Sequence, residues 1–227
     1  MPKKNKKECD LKSCQLCTQC LPSWLPAIKA NRQCLQYKKG EIIFQEGGEL
    51  KGMYFIEKGL VKVHKKWDAE KELILRIAGD GNIVGHRGIG GDTIYPVSGT
   101  ALEETQVCFV DIAFFEDTLH VNHDFLYQLM MFFAAELKES EKKMRNLAHM
   151  NVKGRIANAI LSLQQKFGVK ENGQLNITIS RQDFASYNGA TYETVFRIMN
   201  EMVEEKAIEM DGKDIIILSE QKLLEYI

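Results

Sequence analysis

No run in this 227-residue chain approaches the roughly 20 apolar residues that a membrane-crossing helix needs. The N-terminus also lacks the apolar stretch of a signal peptide, because Lys3, Lys4, Lys6 and Lys7 lead straight into Cys9, Asp10 and Lys12. Together these absences predict a cytoplasmic protein with no membrane partner. Reducing conditions there disfavour a disulfide framework, so the six cysteines need another purpose.

Excess positive charge is missing as well. The chain has 30 Lys and Arg against 31 Asp and Glu, a formal net charge of -1, so any hold on nucleic acid must come from locally placed cations. There is no Gly-rich phosphate loop. The histidines His64, His86, His120, His123 and His149 are scattered without a nucleophile-base pattern, and an enzyme is not expected. His120 and His123, three apart, could share a helical face and hold a metal, although a polar helix start favours solvation.

What is present is an ordinary globular composition, 44% hydrophobic and 27% charged, enough for two modest domains. Residues 1–34 form a cysteine-rich island with Cys9, Cys14, Cys17, Cys20 and Cys34, and an amphipathic stretch around Leu25, Ile28 and Leu35 that reads as helical. From Tyr37 to Asp111 short apolar or alternating runs, 41–44, 53–64, 72–77 and 105–110, are punctuated by glycine, as in an all-β barrel or sandwich. After Asp111 the period becomes helical. Phe125, Leu126, Leu129, Met130, Phe133 and Leu137 mark an apolar face that Met144 and Leu147 continue. That stripe either packs on its own β domain or pairs with the same helix of a second subunit, and the length of the helix favours the pairing.

A further helix is predicted over 152–167, closed by Gly168, and a strand over 175–179. Ser180, with Arg181 and Asp183 behind it, has the form of an N-cap, Asn188-Gly189 of a turn, and Thr191 of a second N-cap. Two runs, 208–210 and 215–218, then flank Asp211-Gly212-Lys213, read as a hairpin with a type I′ turn. Helix, turn, helix, hairpin is the order of a winged helix-turn-helix. On its second helix Glu193 and Arg197 share a face near the N-terminal end. A Glu can accept from cytosine N4, and an Arg can donate twice to guanine O6 and N7, although such a pair is also an ordinary surface salt bridge.

The segments from Ile179 to Ser186 and from Gly189 to Met199 resemble the DNA-binding signature of the Crp/Fnr family of transcription regulators. Those from Gly40 to Gly48 and from Met53 to Lys62 resemble its β-roll motifs. The resemblance implies an α+β protein of four parts: a sensory segment (1–34), a β-roll of the cyclic-nucleotide-binding, jelly-roll type (35–116), a long dimerisation helix (117–150) and a winged helix-turn-helix (151–227). It implies a homodimer on a palindromic double-stranded operator, with RNA polymerase as a further partner. The family's recognition Glu and Arg fall on Glu193 and Arg197. Crp-type members have an Arg where this chain has Tyr192, and Fnr-type members have a small polar residue where it has Phe196. Phe196 either contacts a thymine methyl or packs. Thr191, Ser180 and Arg181 complete the expected DNA-binding set.

Members that bind cyclic AMP carry Gly-Glu and, later, Arg beside Ser or Thr; here Gly85-His86-Arg87 and Tyr95-Pro96 stand there, and no cyclic nucleotide is expected. Arg87 could bind another anion or lie on a surface loop. Cys14, Cys17 and Cys20 have a C-x2-C-x2-C spacing suited to successive irons of a cluster. In Fnr-type oxygen sensors a distant fourth cysteine lies in a stretch resembling Ala101 to Cys108, which implies a 4Fe-4S cluster on Cys14, Cys17, Cys20 and Cys108, with Cys9 as a possible substitute. The plainer reading of Cys108 is a buried apolar thiol. Zinc on four thiolates, reversible thiol oxidation, haem on His64 or His86, and a small organic effector are the other routes to a signal, beside no ligand at all, and an iron-sulfur electron carrier is the alternative from another class. That last reading leaves the helix-turn-helix unexplained.

Overall fold

The structure is a computed structural model that describes residues 3–4, 14–68, 71–90 and 92–227; Cys9, Lys6 and Lys7 lie outside the described residues. The chain forms two compact units, one from residues up to 65 together with 75–137, the other from 66–74 together with 138–227. The class is α+β, as expected.

Among the described residues nine strands build the β part: β1 (Lys3–Lys4), β2 (Gln33–Tyr37), β3 (Ile42–Phe44), β4 (Gly52–Lys58), β5 (Val61–Lys66), β6 (Glu72–Ala78), β7 (Ile83–Val84), β8 (Ser98–Ala101) and β9 (Thr105–Asp111). They pair in two sheets, β1-β2-β9-β4-β7 and β3-β8-β5-β6. Leu35, placed on a helix by its spacing, instead pairs with Val107 in β2, so the expected boundary after residue 34 falls inside that strand. Among the described residues of this region α1 (Gln15–Gln19) and α2 (Leu25–Asn31) are helical, with a 3-10 turn, Pro22–Trp24, between them.

Alternation assigns the two faces of the first sheet. Tyr54 and Phe109 are opposite each other across β4 and β9, and their rings lie 5.0 Å apart. Tyr54 also stacks on Phe44 of the other sheet at 5.6 Å, so this is the inner face. The neighbouring pair, Phe55 and Cys108, therefore points outward, where Phe55 meets Phe115 at 6.4 Å. Helices cover that outer face.

The covering helices are α3 (Ile112–Val121) and α4 (His123–His149). Asp111 starts α3 by accepting from the Phe114 N–H at 2.9 Å. The continuous helix expected over 117–150 is broken at Asn122, which adopts φ -111 and ψ 80 and closes α3. His120 and His123 fall on opposite sides of that break and do not share one helix. Along α4 both readings of the apolar stripe hold on different faces. Phe125 and Leu129 are buried in the core of their own unit, whereas Leu126, Met130, Leu137 and Met144 remain 44%, 54%, 61% and 66% exposed. α4 gives its first half to one unit and its second half to the other.

The second unit contains α5 (Val152–Phe167), α6 (Arg181–Asn188), α7 (Tyr192–Glu204), the hairpin β10 (Ile208–Asp211) and β11 (Asp214–Ile217), and α8 (Glu220–Glu225). Its core is formed by Ile156, Ile160, Leu163, Phe184, Val195, Ile198 and Met202, all buried. Residues 175–179 do not form the expected strand. They run beside the hairpin without regular pairing, held by isolated contacts such as Leu175 N–H to the Ile215 carbonyl at 2.9 Å. The hairpin loop is Gly212-Lys213, since Asp211 and Asp214 are themselves paired. Gly212 has φ 59, but Lys206 is the only non-glycine with positive φ among the described residues, so Lys213 does not meet the requirement of a type I′ turn; glycine at the first central position fits type II′.

Candidate nucleic-acid interface and thiol centre

The two caps read from the sequence start the two helices of the motif. Ser180 Oγ accepts from the Asp183 N–H at 3.0 Å, and Thr191 Oγ1 accepts from the Thr194 N–H at 3.3 Å. Gly189, with φ 60, closes α6 in the left-handed conformation that glycine takes without strain. α7 buries Val195, Ile198, Met199 and Met202 and exposes Tyr192, Glu193, Phe196 and Arg197, so the polar face needed for base contact is free of the core.

The side chains on that face are organised differently from the expected Glu193–Arg197 pair. Arg197 Nη1 is paired with Glu201 Oε1, one turn further along. Tyr192 and Phe196 stack with rings 6.1 Å apart and 7° from parallel. The Arg181 guanidinium lies 5.2 Å from the centre of the Phe196 ring and donates to the Gly212 carbonyl at 3.1 Å. Arg181 thus bridges the exposed face of α7 and the hairpin tip. Sequence reasoning missed this role, and it missed Lys213, which occupies the loop of the wing. It also missed Arg155, which ties α5 to the turn after α6 by donating to the Asn188 carbonyl at 3.0 Å.

In the first unit Cys14, Cys17 and Cys20 lie close in the chain and deep in the protein. Cys14 is the N-cap of α1, Cys17 lies within it and Cys20 is its C-cap, so the three thiols are spaced at threes along one short helix and its two ends. All three are buried in the core cluster that also contains Cys108 on the outer face of β9. Burial, with Cys14 nearby, pushes the Cys20 thiol up to about 12. Soft thiolate donors in an apolar pocket suit an iron-sulfur cluster, whose bound metal supplies the charge that deprotonates such thiols. Among the described residues no three Cys, His, Asp or Glu side chains are arranged to hold one metal ion. Around one tetrahedral ion the sulfurs would lie roughly 4 Å apart. A four-iron cube sets each cysteine on its own iron and asks for a wider spread.

The segment that bears these thiols is tied to the helix break. Leu21 N–H donates to Asn122 Oδ1 at 2.8 Å, and the Trp24 indole N–H donates to Thr118 Oγ1 at 3.1 Å. Trp24 also stacks on Phe114 of α3, with ring centres 6.1 Å apart. None of these contacts was legible from cysteine spacing.

The loop carrying Gly85-His86-Arg87 is occupied from within the chain. Arg87 Nη2 pairs with Glu136 Oε2 at 3.3 Å, and Arg76 Nε, with only 8% of its side chain exposed, pairs with Glu136 Oε1 at 3.3 Å. His86 is buried against Phe132 and Phe133, 5.0 and 5.4 Å between ring centres. Burial, then the charges of Arg76 and Arg87, lower its pKa to about 3. Tyr95 is structural, its hydroxyl donating to the Gly52 carbonyl at 2.8 Å. His64 is also buried, with Nε2 2.9 Å from Thr100 Oγ1. No helix among the described residues is long and apolar enough to cross a membrane.

Residues 34–122 match the family model of the cyclic nucleotide-binding domain, and residues 154–226 match that of the Crp-like helix-turn-helix domain. The chain is similar to the CRP-like cAMP-activated global transcriptional regulator of Mycobacterium tuberculosis, 26% identical over 204 residues that cover 89% of this chain and 91% of the relative. It is also similar to the transcriptional activator protein anr of Pseudomonas aeruginosa, 27% identical over 223 residues, covering 93% and 90%. In fold it resembles FixK2 from Bradyrhizobium japonicum, with a TM-score of 0.77 at 21% identity, covering 86% of this chain and 96% of that one.

Proposed function

Since this chain belongs to the Crp/Fnr regulators of transcription and binds DNA through its helix-turn-helix, we propose that its operator affinity is set by a redox or oxygen signal. The sensor is a 4Fe-4S cluster on Cys14, Cys17, Cys20 and Cys108. The observation that carries this reading is the burial of those four thiols in one core cluster, three of them within and at the two ends of one short helix. Cys9 lies outside the described residues and stays an alternative donor. When bound, the cluster supplies an oxygen-sensitive tie between the N-terminal segment and the β-roll.

The remaining work falls to the chain's own residues. Leu21 and Trp24 pass the position of the thiol segment to Asn122 and Thr118, where α3 ends and α4 begins. On α4, Leu126 and Phe133 stand seven apart, as do Met130, Leu137 and Met144, and Leu147 resumes the first set beyond Ser140; this follows the a/d pattern of a two-stranded coiled coil with one polar position. Its exposed members pair with those of a second copy, giving a homodimer that spans two half-sites of a palindrome. Differential binding of the signal to one of two dimer states then shifts the population that fits the operator. The protein acts in the cytoplasm, and on DNA it engages RNA polymerase, as suits a relative of a transcriptional activator.

Cyclic AMP is not the signal in this reading. Arg76 and Arg87 are both engaged by the Glu136 carboxylate, and Tyr95 is committed to Gly52. The test is iron, sulfide and zinc content with a visible spectrum, on protein purified without oxygen and then exposed to air, alongside operator binding. Iron and sulfide near four each per chain, with bleaching and a change in DNA affinity in air, are expected. Zinc alone, or a response to added cyclic AMP, would overturn the cluster reading and leave the DNA-binding assignment intact.

A further inference from the structure

Cys34 has no part in the proposed ligand set, yet the strand register sets it directly opposite Cys108. We propose that Cys34 and Cys108 form a reversible cross-strand disulfide whenever Cys108 is not engaged by metal. The pairing is fixed on both sides, by Gln33 opposite Phe109 and Leu35 opposite Val107, so a slip that would separate the two cysteines is blocked. Residues directly opposite in an antiparallel pair project from the same face. Their Cα atoms lie about 4.5 or 5.5 Å apart, according to the hydrogen-bonding class of the pair. Both values fall inside the roughly 4.4–6.8 Å Cα window of disulfides, so the bond can close without a change of strand register.

Access differs between the two sulfurs in a useful way. Cys34 is partly exposed, and the Arg32 guanidinium, just after α2, donates to its Sγ at 3.5 Å. Cys108 is fully buried behind it. An oxidant from solvent therefore meets Cys34 first, and Cys108 serves as the resolving thiol.

With a hydroperoxide as oxidant the step balances. The Cys34 sulfur attacks the distal peroxide oxygen, the O–O bond breaks, and water or an alcohol leaves, giving a sulfenic acid on Cys34. The Cys108 sulfur then attacks the Cys34 sulfur, the S–O bond breaks, and the departing hydroxide takes up the thiol proton as water. The two thiols lose two electrons and two protons; the peroxide is reduced. A small-molecule thiol reverses the bond by exchange. The disulfide would staple β2 to β9 and withhold Cys108 from metal, so stronger oxidation would set a slower second state beyond loss of the cluster. That consequence rests on Cys108 being a ligand; the bond itself rests on strand register alone.

The test uses the full chain, stripped of metal by a chelator without oxygen, treated with hydrogen peroxide, alkylated at the remaining thiols and digested by trypsin without reduction. Mass spectrometry is expected to find the Cys34 peptide linked to the Cys108 peptide, lighter by two hydrogens than the pair and separated by a thiol reductant. The linked protein should take up iron and sulfide only after reduction, and Cys34→Ser should abolish both the link and this block. A link from Cys108 to Cys14, Cys17 or Cys20, or a Cys34 that is oxidised without joining Cys108, overturns the proposal. Iron uptake by protein never exposed to peroxide separates the two readings: its failure removes the cluster, while the peptide map still decides the disulfide.

Discussion

The N–H of Leu21, one residue after the third clustered cysteine, donates to Oδ1 of Asn122 at 2.8 Å, at the break between α3 and α4. Asn122 is 1% exposed and also donates through Nδ2 to the Thr118 carbonyl at 2.8 Å. Asn122→Ala would leave the Leu21 N–H without its acceptor, at a cost of about 1–3 kcal/mol in a urea titration. Iron content per chain should hold while the change of operator affinity in air shrinks. Asn122→Asp, which keeps an acceptor, should restore much of the response. A full air response in Asn122→Ala would show that the signal reaches α4 by another route.

Glu136 is the shared counter-charge for Arg76 and Arg87. Burial lowers the pKa of Arg76, and the Glu136 charge opposes that shift. Removing the carboxylate by Glu136→Ala strands a guanidinium whose side chain is 8% exposed, and the expected loss is roughly 3 kcal/mol. Replacing both partners, Arg76→Met with Glu136→Leu, should recover most of it, because an apolar pair carries no desolvation cost. Equal destabilisation by the single and double changes would show that the pair is not what holds this corner of α4.

Much of the second unit was legible because its signals are local. Ser180, Gly189 and Thr191 act within four residues of themselves, so caps and turn could be read directly from the chain. The register of the β-roll could not. β2 carries Leu35 at a spacing that also fits a helix, and only pairing with Val107 decides for a strand. β7 and β8 are two and four residues long, too short to show a period. The break at Asn122 depends on a side-chain bond to Leu21, which lies 101 residues away, and the seat of Glu136 on two arginines is equally non-local. Cysteine spacing pointed to the thiol centre, but the position of Cys34 opposite Cys108 follows from register alone.

His86 gives a pH dependence with a definite sign. Its pKa falls from 6.5 to about 3 on folding, so the unfolded chain binds the proton more readily, and stability from this group is lost as pH falls below 6.5. Between pH 7.5 and 5.5 the loss should be about 1.4 kcal/mol, the equivalent of one unit of differential protonation. His86→Phe, which cannot take up that proton, should flatten the curve over this interval, as read by denaturant titrations at matched ionic strength. A wild-type curve already flat there would mean that His86 can be protonated within the fold.

Arg197 and Glu201 hold each other on the exposed face of α7, with side chains 66% and 38% exposed. An exposed pair of this kind contributes only about 0.3–0.5 kcal/mol, so DNA can break it cheaply and turn the guanidinium toward a base. Arg197→Ala should therefore cost about 1–3 kcal/mol on the operator, since one bidentate base contact is lost, and little on a scrambled duplex. Glu201→Ala should do the opposite in sign and be smaller, releasing Arg197 and raising operator affinity by no more than about twofold. Lys213, at the tip of the wing, belongs to a different class of contact. Its change to Ala should weaken operator and scrambled duplex alike and reduce the salt dependence of binding by about one released ion. Fluorescence anisotropy on both duplexes over a salt series reads all three. Loss of affinity on both duplexes in Arg197→Ala, equal in size, would mean that this arginine holds the phosphate backbone and that sequence is read by Glu193 and the Tyr192–Phe196 stack instead.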